Sequence, residues 1–185
     1  MKIVAFHGMS RSLEDLWLPA LKEDLKGKNI EIIAPTFPIL EDITLEKWFD
    51  IADKLKDQID EDTVFICHSL ATNFIFKYMY KNKLKCKAII AVAGGYSKRL
   101  IKFTHLAAFK PYKNEIEYTI ANSKYRYAIH SDKDGTWLDS EVRRYDHYFK
   151  GEVIVIPGAA HFGLRSGVKK IPELTEIINK LEKAD

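Results

Sequence analysis

Three observations predict an α/β protein, a three-layer α/β/α sandwich around a mostly parallel central sheet. Six short runs rich in isoleucine and valine recur along the chain. Segments with helical periodicity lie between them. Most of the runs are continuously apolar rather than alternating, as in strands covered on both faces. Alternation of such strands with helices implies parallel strands joined by helical crossovers.

Taken in order, strands are expected at KIVAF (2–6), IEIIA (30–34), TVFIC (63–67), KAIIAVA (87–93), YRYAI (125–129) and EVIVI (152–156). After the first, Leu13, Trp17, Leu21 and Leu25 recur every fourth residue and so share one helix face. Ser12 with Asp15 resembles a capping box at that helix's start. Leu45, Trp48, Ala52, Leu55 and Ile59 form a second stripe, with Thr44 as its cap and Glu46 in its first turn. A helix is expected to open just beyond TVFICHS. Leu174, Ile177, Ile178 and Leu181 form the last stripe, with Pro172 near its start. All these stripes read as core packing.

A length of 185 residues suits one domain, 1–185, with a sizeable core. The charge balance is 29 − 26 = +3, and the lysines are scattered. Even KNKLKCK (81–87) reads as a solvated loop, so no nucleic-acid partner is expected. The two cysteines, Cys67 and Cys86, are too few for a secreted disulfide scaffold and fit a reducing cytoplasm. MKIVAF is too short for the apolar core of a signal peptide, and no apolar run has transmembrane length, so no membrane partner is expected.

Open parallel sheets bind ligands at the carboxyl ends of their strands, so the residues that follow each strand carry the functional information. These are His7-Gly8-Met9-Ser10, His68-Ser69-Leu70-Ala71, His130-Ser131-Asp132-Lys133-Asp134 and Pro157-Gly158-Ala159-Ala160-His161-Phe162. They supply a glycine turn, then a serine, an aspartate and a histidine in the chain order of one class of hydrolytic triad. A serine hydroxyl needs an imidazole to take its proton. The imidazole needs a carboxylate to hold its tautomer and stabilise its charged form. The oxyanion formed on attack needs preorganised N–H donors. One is the amide of Leu70, after the serine; the other is that of Met9, with Ser10 as the alternative.

At these residues the chain resembles the α/β-hydrolases. More narrowly, it is similar to the small single-domain serine hydrolases related to retinoblastoma-binding protein 9. The likeness rests on the HG turn followed by LWLPALKEDL (16–25), and on LEKWFD (45–50), CHSLA (67–71), IEYTIANSKY (116–125), SDKDGTWL (131–138) and GAAHF (158–162). It implies a compact α/β-hydrolase fold and a Ser69–His161–Asp134 triad, with Asp132 as the fallback acid. It also implies hydrolysis of small acyl esters through an acyl-enzyme.

The usual elbow reads Gly-x-Ser-x-Gly, whereas Cys67 and Ala71 stand here in place of the glycines. Both are small enough to be tolerated. Two other readings remain. One is a degenerate hydrolase serving as a protein- or ligand-binding module, although no partner motif is visible. The other makes Cys67 the nucleophile, although it precedes the elbow tip and is expected to point away. His68 reads as structural or pocket-lining, His7 as shaping the oxyanion turn and Gly94-Gly95 as a turn. His105, His130 and His147 show no ligand spacing, and phosphate-binding glycine patterns are absent, so neither metal nor cofactor is expected. Residues 96–124 leave room only for a minimal lid. Leu100, Phe103, Leu106, Ala107 and Phe109 line an acyl pocket there or, as is favoured for most of them, belong to the core.

Overall fold

Six strands run side by side in a single sheet: β1 (Lys2–Phe6), β2 (Glu31–Ile33), β3 (Thr63–His68), β4 (Cys86–Val92), β5 (Ser123–Ser131) and β6 (Glu152–Ile156). Their order is β2-β1-β3-β4-β5-β6, and every neighbouring pair is parallel. These positions come from a computed structural model, which describes residues 1–9, 12–96 and 104–184. Each strand falls on one of the expected apolar runs. β2 is shorter than expected, whereas β5 begins earlier, at Ser123, and continues to Ser131.

The period of two sorts the strand residues to opposite faces. Ile3, Ala5, Val64, Ile66, Ile90 and Ile129 join one core layer with helices α1 (Leu18–Asp24) and α7 (Pro172–Glu182). Val4, Phe6, Phe65, Cys67, Ile89 and Ala128 join the other. That second layer is covered by α2 (Leu45–Ala52), α3 (Ala71–Asn82), α5 (Lys113–Ala121) and α6 (Asp139–Phe149). The short α4 (Thr104–Ala107) precedes α5. Central strands β3 and β4 are buried throughout, which explains their unbroken apolar runs. Among the described residues, no helix is long and apolar enough to cross a membrane.

Three local expectations are corrected. The stripe from Leu13 to Leu25 is not one helix: a 3-10 turn at Leu13–Asp15 is followed by α1. Pro19 lies in the first turn of α1, where its missing N–H does no harm; in one continuous helix that N–H would have to bond to the Asp15 carbonyl. Ser12 caps the short turn through the Glu14 amide (3.2 Å) instead of forming a capping box with Asp15. The second stripe leaves α-helix at Ala52 and continues as a 3-10 segment, Asp53–Gln58. Thr44 does cap α2, accepting from the Lys47 amide at 3.2 Å.

Within the segment read as a minimal lid, Leu100 and Phe103 lie outside the described residues. Leu106 and Phe109 are core, and Phe109 packs edge-on against Trp48 at 5.0 Å. α5 is tied to α3 by the buried Lys77–Glu115 ion pair (3.1 Å), so it belongs to the helical layer.

Candidate active site

The site begins where β3 meets α3. Ser69 occupies that junction at φ 54°, a left-handed conformation that L side chains rarely adopt. Such strain costs of order 1–3 kcal/mol and persists only where the surroundings enforce it. Here the Ser69 amide donates to the Val92 carbonyl (2.9 Å), and the Thr72 amide and hydroxyl donate to the Ser69 carbonyl (3.0 and 2.7 Å). The elbow is therefore pinned to β4 on one side and to the first turn of α3 on the other.

Cys67 and Ala71, on either side of Ser69, are fully buried in the layer between the sheet and α3. Burial, with a smaller contribution from Cys86, pushes the Cys67 thiol well above its ordinary pKa. A packed, protonated thiol is a poor nucleophile.

The loops after β5 and β6 bring Asp134 and His161 to Ser69. His161 Nε2 lies 2.8 Å from Ser69 Oγ. Its Nδ1 lies 2.8 and 3.0 Å from the two carboxylate oxygens of Asp134. The carboxylate can only accept, so Nδ1 carries the proton and Nε2 is bare toward the serine. Asp134 Oδ1 also accepts from the Thr136 amide (2.8 Å) and the Trp137 amide (3.4 Å). Burial by itself would raise this carboxyl's pKa. The bond and charge of His161, with the two amides, outweigh burial and hold it below the ordinary value. Asp132, the fallback acid, points elsewhere: its Oδ1 accepts from the Gly158 amide at 2.7 Å.

The neighbouring histidines take structural partners. His68 Nε2 lies 2.9 Å from the His161 carbonyl, so it donates. Burial first, then the nearby His161, lowers the His68 pKa to about 4. His7 Nδ1 donates to the Gly8 carbonyl (2.6 Å), and its Nε2 accepts from the Phe37 amide (2.8 Å). Burial lowers its pKa, against the opposing effect of these two backbone bonds. His130, buried at the end of β5, pairs with Asp146 of α6 at 2.7 Å.

Gly8 lies directly against the elbow. Neither the Met9 amide nor the Leu70 amide donates to another described residue. Ser10, the alternative donor, lies outside the described residues. Trp137 is a further residue of the site, beyond those expected from the sequence. Its ring stands 6.4 Å from that of His161, held there by an Nε1–H bond to the Ala93 carbonyl (2.8 Å). Its position in TWL, three residues beyond Asp134, was the available signal. Among the described residues, no three His, Cys, Asp or Glu side chains are grouped to hold a metal ion.

Comparisons with known proteins agree with this architecture. The YdeN protein of Bacillus subtilis (strain 168) is 24% identical over 178 residues, covering 96% of this chain and 94% of its own. The crystal structure of that gene product superposes with a TM-score of 0.83 at 21% identity, covering 97% of each chain. A structure from work on carboxylesterases of the thaumarchaeon Nitrososphaera gargenis gives a TM-score of 0.72 at 14% identity, over 100% of this chain and 92% of its own. At these identities the structural matches establish the fold. The family model described as serine hydrolase matches residues 3–180, and the chain belongs to that family.

Proposed function

We propose that this protein hydrolyses small acyl esters with Ser69 as nucleophile, His161 as general base and acid, and Asp134 as the carboxylate that orients His161. The observation that carries the reading is the continuous relay from Ser69 Oγ through His161 to Asp134, with every step between 2.8 and 3.0 Å. Ser69 Oγ attacks the acyl carbon while its proton passes to His161 Nε2, and the carbonyl electron pair moves onto the oxygen. Collapse of the adduct breaks the bond to the leaving alkoxide, which takes the proton from His161. Water, deprotonated by the same imidazole, then releases the acid and restores Ser69.

The amides of Leu70 and Met9 serve the oxyanion in this reading. Support for Met9 comes from His7: in a trans peptide the Gly8 carbonyl and the Met9 N–H point in opposite directions. The His7 bond to Gly8 therefore sets the direction of the Met9 N–H. The exposed side chains of Met9, Leu40, Leu138 and Leu164, all in segments that follow the carboxyl ends of strands, support an apolar acyl group. Within the family, CHSLA and GAAHF support a likeness to the small hydrolases related to retinoblastoma-binding protein 9. The free thiols of Cys67 and Cys86 support a cytoplasmic setting.

Intact-mass measurement after fluorophosphonate treatment tests the proposal. One adduct that disappears in Ser69→Ala is expected. A folded protein that takes up no probe would instead favour a binding module on a hydrolase fold.

A further inference from the structure

The segment that carries His161 departs from ordinary backbone geometry on both sides of it. Gly158, Ala160 and Phe162 all lie at positive φ, at 71°, 47° and 52°. Ala160 and Phe162 have side chains, and they flank His161 directly. A loop in this conformation relaxes unless its surroundings hold it. Phe162 supplies part of the restraint: its ring is fully buried, and its amide closes a turn onto the Ala159 carbonyl at 3.0 Å. Two further bonds come from side chains that the proposed chemistry does not use. His68 donates to the His161 carbonyl at 2.9 Å, and Asp132 accepts from the Gly158 amide at 2.7 Å.

We infer that His68 and Asp132 are positioning residues: together they clamp the strained Gly158–Phe162 loop and keep the His161 imidazole in line with Ser69. The inference rests on the proposed role of His161. His68 is buried next to the nucleophile, as the last residue of the buried strand β3. It thereby refers the position of the base to the strand that carries Ser69. Asp132 leaves the end of β5 on the same loop as Asp134, so one loop orients the imidazole and anchors its backbone. A displacement of about 1 Å in a reacting group can cost on the order of a hundredfold in rate. The clamp needs only to prevent a shift of that size.

Paired substitutions test this. His68→Gln keeps an amide N–H near the position of Nε2, whereas His68→Leu removes the donor. Asp132→Asn keeps an accepting oxygen, whereas Asp132→Ala removes it. His68→Leu and Asp132→Ala are expected to lower kcat for an acyl ester about ten- to a hundredfold with little change in KM. The Gln and Asn variants should recover most of that loss. An activity-independent readout is the far-downfield proton resonance of His161 Nδ1–H bonded to Asp134. It should persist in the parent and in the Gln and Asn variants. In the Leu and Ala variants it should broaden or vanish. Asp132 is exposed, so Asp132→Ala remains informative if His68→Leu fails to fold. If Asp132→Ala, and His68→Leu where it folds, match the parent in both kcat and the resonance, the clamp is wrong. A parent that hydrolyses nothing and takes up no fluorophosphonate overturns the proposed function instead, and the resonance still decides the clamp.

Discussion

A Cβ placed on Gly8 would stand 2.8 Å from the Cβ of Ser69 and 3.3 Å from the carbonyl oxygen of His68. The turn after β1 is thus pressed onto the elbow so tightly that no side chain fits between them. Gly8→Ala must move one or the other. Overpacking of this kind costs about 1–3 kcal/mol. The displaced partner is either the strained serine or the peptide that carries the Met9 amide. Turnover is expected to fall at least tenfold, with a lower denaturation midpoint. Urea melts and ester hydrolysis measured on the same preparation check both effects. A variant with parental turnover would show that the two loops move independently.

The two bonds of His7 can be separated. Asn at this position places an amide N–H near Nδ1 and keeps the bond to the Gly8 carbonyl. Gln places an oxygen near Nε2 and keeps the acceptor for the Phe37 amide. If the Gly8 bond orients an oxyanion donor, His7→Asn retains more kcat than His7→Gln at similar KM. Loss of a single oxyanion donor costs about a hundred- to a thousandfold in kcat, which sets the scale for His7→Gln. Equal kcat in the two variants would separate His7 from the oxyanion hole.

Asp134 and Asp132 lie on one loop, yet only Asp134 reaches His161. Asp134→Asn removes the charge and favours the wrong tautomer, a change that can cost about 10⁴-fold in turnover. Asp132→Asn leaves an amide oxygen to accept from Gly158 and should stay within a few fold of the parent. Kinetics of the two variants, with circular dichroism to confirm folding, decide the assignment. Greater damage from Asp132→Asn would exchange their roles.

Buried histidines make stability depend on pH with a definite sign. The His68 pKa falls from 6.5 to about 4 on folding, so the unfolded chain takes up the proton first. The full contribution is present above pH 6.5 and is lost as pH falls toward about 4, roughly 3 kcal/mol in all. His7 acts with the same sign. The depressed carboxyl of Asp134 adds a further loss below its ordinary 3.8. Melting temperatures measured across this window should fall more steeply for the parent than for His68→Gln. Identical slopes would mean that His68 is not held neutral.

Much of the architecture is legible in the amino-acid sequence. The apolar runs mark the strands most plainly at β3 and β4, which are covered on both faces; the edge strands β2 and β6 are only partly buried. The order Ser69, Asp134, His161 at strand ends points to the candidate site. In the helices, local chemistry overrides periodicity: Pro19 divides the Leu13–Leu25 stripe despite its regular four-residue spacing. Helix α6 is hard to read from sequence because Val142, Tyr145, Tyr148 and Phe149 are its few apolar residues among charged ones. The tautomers of His7 and His68 were beyond reach from sequence. Each is set by a backbone group distant in the chain, the Phe37 amide and the His161 carbonyl. Asp132 and Asp134 differ only in where the loop turns, which two acids in SDKDG do not reveal.

The most direct test concerns Ser69 itself, whose Oγ lies 2.8 Å from His161 Nε2. The intact mass of the parent, of Ser69→Ala and of His161→Ala is measured after treatment with a fluorophosphonate. The parent is expected to gain one adduct, Ser69→Ala none, and His161→Ala an adduct formed far more slowly. An unmodified parent that is folded, or an adduct that survives in Ser69→Ala, would contradict a serine nucleophile at the β3–α3 elbow.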